Sequence, residues 1–267
     1  MSDQTPAVAL SDPPSRSLEA WSTSRTMITR ALRLTLRQVD GLITSIALPV
    51  MLMLMFVYLF GGAIEPGGRY VDYVVPGVLL VCAAFGAGTT AVNVAHDLRA
   101  GIIDRFRSMD VGGEALINGH VVASVARNLV STALVFAVAF AIGFRTSAGP
   151  ASWVLAVAIL VLFILALSWL AAAIGMLARS ADAANGIAFF ISFLVYPSSA
   201  FVPLHTIPTW MRGFAENQPV TQVVDTIRSL LGGTPVGASA WHAVAWSAGI
   251  IAVSIVLAGA FFQRRTR

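Results

Sequence analysis

The chain has 267 residues, 57% hydrophobic and 11% charged, where an ordinary soluble domain carries about 25% charged residues, so it reads as an all-α polytopic membrane protein. All 17 basic residues are arginine, which excludes P-loop nucleotide binding and Schiff-base chemistry in this polypeptide, since both require a lysine. The net charge of +4 comes from arginines at the ends of apolar segments, a placement that serves topology and anionic headgroups rather than nucleic acid; the single Cys82 allows no internal disulfide and no cysteine metal site.

Residues 1–25 are rich in Ser, Pro, Asp and Thr and cannot build a core, so a disordered tail is expected. The tail lacks the apolar stretch and small-residue cleavage site of a signal peptide, and is expected to stay in the cytoplasm. Over 26–40 the pattern turns helical. Ile28, Leu32, Leu36 and Val39 share one face and Arg30, Arg33 and Arg37 the opposite one, as in a helix lying flat at the membrane interface with its arginines toward the headgroups. A simple juxtamembrane anchor fits the same amphipathy.

Six apolar segments follow, at 41–62, 73–96, 117–144, 151–178, 184–203 and 241–262, each near the roughly 20 residues needed to cross the hydrocarbon core. Met51, Met53, Met55 and Phe56 in the first offer an adaptable apolar surface suited to an amphiphilic substrate, and spans one, two and five are the candidates for lining a path. Between spans two and three lies the longest polar island of the apolar region, 97–116. Asp97, Arg99, Asp104, Arg105, Arg107, Asp110 and Glu114 alternate there with Ile102, Ile103, Phe106 and Met109. That pattern suits a short amphipathic docking helix, although a solvated connector has the same composition.

Arg127 and Asn128 sit about three turns into the third span, where an ionisable group is costly unless paired, hydrated or snorkelling. Either they face a polar pathway or bundle interior, or Arg127 lies at the interface. The second reading is preferred, because Gly119 and His120 extend the polar region past residue 116. After span five, Pro197, Pro203, Pro208 and Pro219 forbid a continuous helix. Two short pieces, 207–216 and 220–231, are apolar enough to dip back into the outer leaflet, with Trp210 as an interfacial anchor in a 204–240 segment.

Orientation follows from the arginines. If the tail is cytoplasmic, twelve lie on that side, four (Arg69, Arg145, Arg212 and Arg228) on the other, and Arg127 within a span. The positive-inside rule therefore places both termini in the cytoplasm. His96, His120, His205 and His242 show no metalloprotease spacing, and Ser239 beside His205 or His242 is a weak nucleophile pair at a helix start. An ion-driven carrier usually needs an acid in mid-span, and none is visible.

The polar island and its flanks together resemble the permease family of type-2 ABC exporters, most closely its daunorubicin-resistance branch. The matching runs are Asp97, Gly101, Asp104, Arg105, Phe106, Arg107, Ser108 and Met109; then Arg127, Asn128 and Leu129; then Phe201, Val202, Pro203, Pro208, Trp210, Arg212, Asn217, Pro219, Val220, Thr221, Asp225, Arg228, Leu230 and Gly233. The resemblance implies a six-span transmembrane domain over 26–267, with the 26–40 interfacial helix, re-entrant helices after span five, and no ATPase of its own. It further implies a second permease copy or paralogue, two cytoplasmic ATP-binding subunits that hold the ATP and Mg, and the 97–116 loop as the coupling helix that docks on them. Its substrate would be a hydrophobic drug or lipid. Two positions depart from the family pattern: Asp110, where members often carry proline, and His120, where they often carry a basic residue.

Overall fold

The computed structural model describes residues 39–64, 69–100 and 113–265, all helix and turn. The expected tail and most of the interfacial helix, with Arg30, Arg33 and Arg37, lie outside the described residues. So do Gly101, Asp104, Arg105, Phe106, Arg107 and Met109.

Helix α1 (Val39–Met55) carries Pro49 and continues through one wide turn, Phe56–Phe60, into Gly61–Ile64. Helix α2 (Tyr70–Arg99) and α3 (Gly113–Ala141) form the hairpin that flanks the polar island. Helix α4 (Pro150–Leu177) starts on a proline whose missing N–H costs nothing at a helix N-terminus. Helix α5 (Ala181–Ser192) is capped by Ser180, whose Oγ accepts the Ala183 N–H at 2.9 Å. Two amphipathic helices follow, α6 (Thr209–Asn217) and α7 (Pro219–Gly232), the latter closed by Gly233 at φ +69°, a left-handed position that favours glycine. Helix α8 (Ser239–Arg265) ends the described chain.

Among the described residues five helices are long and apolar enough to cross a membrane: Ile46–Ile64, Tyr70–Arg99, Ile117–Ala141, Pro150–Leu177 and Ser239–Phe261. These match five of the six expected spans. The expected span at 184–203 is different. Its helical part, Ala181–Val195, rises only about 22 Å, short of a hydrocarbon core of about 30 Å. Pro197 has no N–H to continue it. Instead, the hydroxyl of Ser198 bonds back to the Val195 carbonyl and takes the Ala200 N–H at 3.1 Å, so that 196–203 folds as an irregular strap.

Helix α2 is the hub, packing against α1, α3, α4, α5 and α7. Within the chain 72% of its apolar window is buried, against 17% for α1 and for α8, whose apolar surfaces are left for lipid or another subunit. Small residues let neighbours approach it closely. A Cβ on Gly77 would fall 2.7 Å from Ala200, and one on Gly175 of α4 would fall 2.5 Å from the Ala91 carbonyl of α2.

Candidate functional site

The two helices that bear the polar island are tied in one antiparallel register. At the island end, Asp97 Oδ2 meets His120 Nε2 at 3.0 Å, with His96 Nδ1 3.8 Å from Oδ1. Seven residues further along each helix, Arg127 of α3 donates to the Thr90 hydroxyl of α2 at 2.7 Å and to the Gly86 carbonyl at 3.0 Å. Seven residues are two helical turns, so both ties lie on the same faces of α2 and α3.

Next to this second tie, Asn128 is fully buried and donates at 3.5 Å to Ser124, which Ser168 of α4 meets at 2.9 Å. The side chain of Asn128 fills the place where any Cβ on Gly86 would stand, 1.8 Å from its Oδ1. The result is a polar seam through the joint of α2, α3 and α4. Arg127 corrects the expectation of an interfacial arginine: it is 8% exposed, about 15 Å into the Ile117–Ala141 span. No carboxylate among the described residues pairs with it, and its Nε finds no partner there. The sequence allowed this bundle-interior reading but could not show that Gly86 and Thr90 present a carbonyl and a hydroxyl at the same level.

A second cluster lies at the other end of the bundle and draws in the proline-rich run. Arg228 of α7 pairs with Asp225 at 2.7 Å, donates to the carbonyls of Ser199 at 2.7 Å and Tyr73 at 3.2 Å, and stacks its guanidinium 3.8 Å above the Tyr73 ring. Asp225 also accepts from Ser199 Oγ at 2.7 Å. Thr221 accepts the Ser199 N–H at 3.3 Å, and the Gln218 amide donates to the Pro197 carbonyl. From α2, Tyr73 and Tyr70 donate to the carbonyls of Ser199 at 3.0 Å and Phe201 at 2.6 Å. Helix α7 and the first turn of α2 thus supply the partners that the 196–203 strap cannot supply itself. Pro219 and Gly233 delimit α7, while Pro203 and Pro208 stand immediately before the short turn Leu204–Thr206 and helix α6. Asn217 only bonds back to Gly213 at 2.8 Å. Trp210 is exposed, as an anchor would be.

Replacing Arg228 by alanine removes the charged partner of Asp225 and a donor from each of two carbonyls, leaving Asp225 to Ser199 Oγ and the Ser199 carbonyl to Tyr73. We expect it to cost about 2–3 kcal/mol, measured as earlier thermal unfolding in detergent, whereas Trp210→Ala leaves unfolding unchanged.

The comparisons with known proteins fall on the same elements. A family model described as ABC-2 type transporter matches residues 24–231, a stretch that holds the polar island, the buried seam and the outer cluster. The chain belongs to the ABC-2 type transporter family. Similar proteins include the daunorubicin resistance ABC transporter permease protein DrrB1 of Streptomyces coeruleorubidus, 30% identical over 217 residues that cover 79% of this chain and 76% of that one. The probable doxorubicin resistance ABC transporter permease protein DrrC of Mycobacterium tuberculosis, in strains CDC 1551 and H37Rv, is 22% identical over 218 residues, 80% of this chain and 78% of that one.

The ABC-2 chain is therefore a transmembrane subunit of an ABC exporter, a multi-pass membrane protein. Its expected path residues divide. Met51 and Met55 are exposed on α1, but Met53 is fully buried, because residues two apart on a helix cannot share one face. Phe56 stacks on Phe201 at 4.5 Å. From there a run of ring contacts passes through Tyr196, Phe193 and Phe189 to Phe85 in the middle of α2. This aromatic string between α1, α2 and α5 has no periodic signature, since its members come from four separate segments.

Proposed function

We propose that this ABC-2 subunit is the six-span permease of an ATP-driven exporter, moving a hydrophobic drug or lipid-like substrate from the cytoplasm or inner leaflet outward. In this reading α5 with the 196–203 strap is the fifth membrane element, α6 and α7 are re-entrant, and both termini are cytoplasmic. Two ATP-binding subunits dock on the 97–116 loop through Asp97, Gly101, Asp104, Arg105, Phe106, Arg107 and Met109. They bind the ATP and Mg and carry out the hydrolysis, and a second permease copy or paralogue completes the path. The relatives named for daunorubicin and doxorubicin resistance support a planar amphiphilic drug as the first substrate to try.

The observation that carries the mechanism is the register of Asp97–His120 and Thr90–Arg127. A push on the loop reaches α2 and α3 together, and because both helices are pinned twice they move as one lever rather than sliding past each other. Close packing passes that motion to α4 through Ser168 and Gly175 and to α5 through the rest of α2. Helix α2 contacts α1 and α5 together with the aromatic string, so its tilt would open or close that face.

The test is a mild-detergent pull-down of the tagged full chain, co-expressed with candidate ABC ATP-binding subunits, with ATP hydrolysis assayed in the eluate. Wild type is expected to retain an ATPase, and a variant with residues 101–107 scrambled is expected to lose at least about nine-tenths of it, a loss of about 1.4 kcal/mol or more in association, while eluting as the same monodisperse species. Retention of the ATPase by the scrambled variant would sink the docking role. A folded wild type that captures no ATPase even after crosslinking would sink the exporter reading.

A further inference from the structure

At the end of the bundle away from Ala100 and Gly113, the start of α2, the 142–149 turn and the end of α7 border an open cavity of about 390 Å³. Its lining includes Arg69, Arg145 and Arg228, three of the four arginines that the charge count assigns to this side of the membrane. Such clustering runs against the usual scarcity of basic residues there, and mutual repulsion opposes it unless the charge is used.

The arginines are not equivalent. Arg228 is neutralised by Asp225, and its N–H groups are taken by the Tyr73 and Ser199 carbonyls. Asp72 has two claims on it: Arg69 Nε at 3.3 Å and the backbone N–H of Arg145 at 2.9 Å. Among the described residues the Arg145 guanidinium reaches carbonyls alone, those of Phe144 at 2.9 Å and Phe140 at 3.5 Å. The cavity thus gathers, among the described residues, three guanidiniums against two carboxylates, Asp72 in its lining and Asp225 paired to Arg228 from outside it. One positive charge is in excess; Arg69, whose side chain is 55% exposed, also donates through Nη2 to the Gly143 carbonyl, which leaves its Nη1 and the remaining Arg145 N–H groups as the unspent donors. Ser229 and Thr234 add hydroxyls, while Tyr73, Phe144 and Leu231 supply an apolar wall.

The depth of the cavity is marked by tryptophans. Trp153, in the first turn of α4, contacts the rings of Phe136 and Phe140, and Trp241, in the first turn of α8, is 74% exposed. Such residues concentrate at the level of the lipid headgroups. The most abundant anion at that level is a phosphate, and its several acceptor oxygens suit a donor-rich pair of guanidinium forks.

We propose that this cavity is a phosphate-binding site, held by Arg69 and Arg145, for an anionic phosphate group in the leaflet opposite the polar island. It would act there as an anchor for the outer end of the α2–α3–α7 assembly, and it does not depend on the transport reading above.

Native mass spectrometry of the full chain, purified in mild detergent and exposed to equal amounts of phosphatidylglycerol and phosphatidylcholine with the same acyl chains, tests it. Wild type is expected to retain the anionic lipid about tenfold more than the zwitterionic one: both carry the phosphate, but the choline cation of the second is repelled by the excess arginine charge. The double variant Arg69→Gln/Arg145→Gln is expected to lose that preference, and Arg69→Lys/Arg145→Lys to keep most of it. Displacement by millimolar inorganic phosphate would assign the site to free phosphate, and resistance to it would assign the site to the lipid headgroup. Should the double glutamine variant not fold, Arg145→Gln alone reports the same loss. Equal retention of the two lipids by wild type, or an undiminished preference in a folded glutamine variant, overturns the proposal.

Discussion

Replacing Arg127 with methionine is expected to leave the protein folded, melting at or above the wild-type temperature, while export of a drug probe falls about tenfold or more. The two halves of this expectation have different causes. A guanidinium buried without a carboxylate carries a desolvation cost of several kcal/mol, and an apolar side chain of similar length removes that cost. The groups left behind are easily satisfied: the Gly86 carbonyl lies within α2, and the Thr90 hydroxyl can bond back to its own helix. What disappears is the inner of the two ties between α2 and α3. Of the two ties along the island half of the hairpin only Asp97–His120 is left, so a push at the loop is absorbed as sliding between the helices. The tenfold fall corresponds to about 1.4 kcal/mol of lost coupling. ATPase retention in the pull-down is expected to stay at the wild-type level, because residues 101–107 are untouched. Thermal unfolding, ATPase retention and export, measured on one preparation, separate this outcome from a folding defect. A variant that exports normally removes the lever.

Much of the architecture was legible because a membrane leaves few choices. Apolar runs long enough to cross the bilayer must be helices, and five of the six expected spans are found as such. The short α6 and α7 also lie close to their expected places, since Pro208, Pro219 and Gly233 punctuate the chain at fixed points. The apolar run at 184–203 is helical only as far as Val195: hydropathy counts apolar residues without asking whether the backbone can remain helical. Pro197 and the serines after it divert the chain into a strap whose polar groups are satisfied by Thr221, Asp225 and Arg228, more than twenty residues away. Arg127 misled for a related reason. A lone arginine in a span is cheapest at the interface, and only the position of Gly86, which opens room for Asn128 and presents its own carbonyl, makes the interior tolerable. The motif residues Asp225 and Arg228 stood out by family pattern, but their work as clasps on the strap depends on tertiary contacts with Tyr73 and Ser199 that no local spacing encodes.

Gly86→Ala puts the tightest glycine approach among the described residues to a direct test. Its Cβ would stand 1.8 Å from Asn128 Oδ1 and 2.8 Å from Cγ, far inside van der Waals contact. Asn128 has no free direction to take, since it is fully buried, with Ser124 one turn behind it and Arg127 beside it. Relief must come from separating α2 and α3 or turning the amide out of the seam, and either change also stretches the Arg127 bonds to Gly86 and Thr90. Overpacking of this kind costs about 1–3 kcal/mol, so the alanine variant is expected to unfold earlier in detergent and to export poorly. The decisive arm is the double variant. Asn128→Ala alone leaves a small gap and a mild loss, but in the Gly86→Ala background it removes the atom that the new methyl strikes, and stability is expected to recover by more than half of what was lost. That rescue is a pairwise interaction of about 0.5–3 kcal/mol, which a general weakening of α2 would not show. If the two substitutions simply add, Gly86 is ordinary helix packing, and the close approach of α2 to α3 is not what holds the seam together.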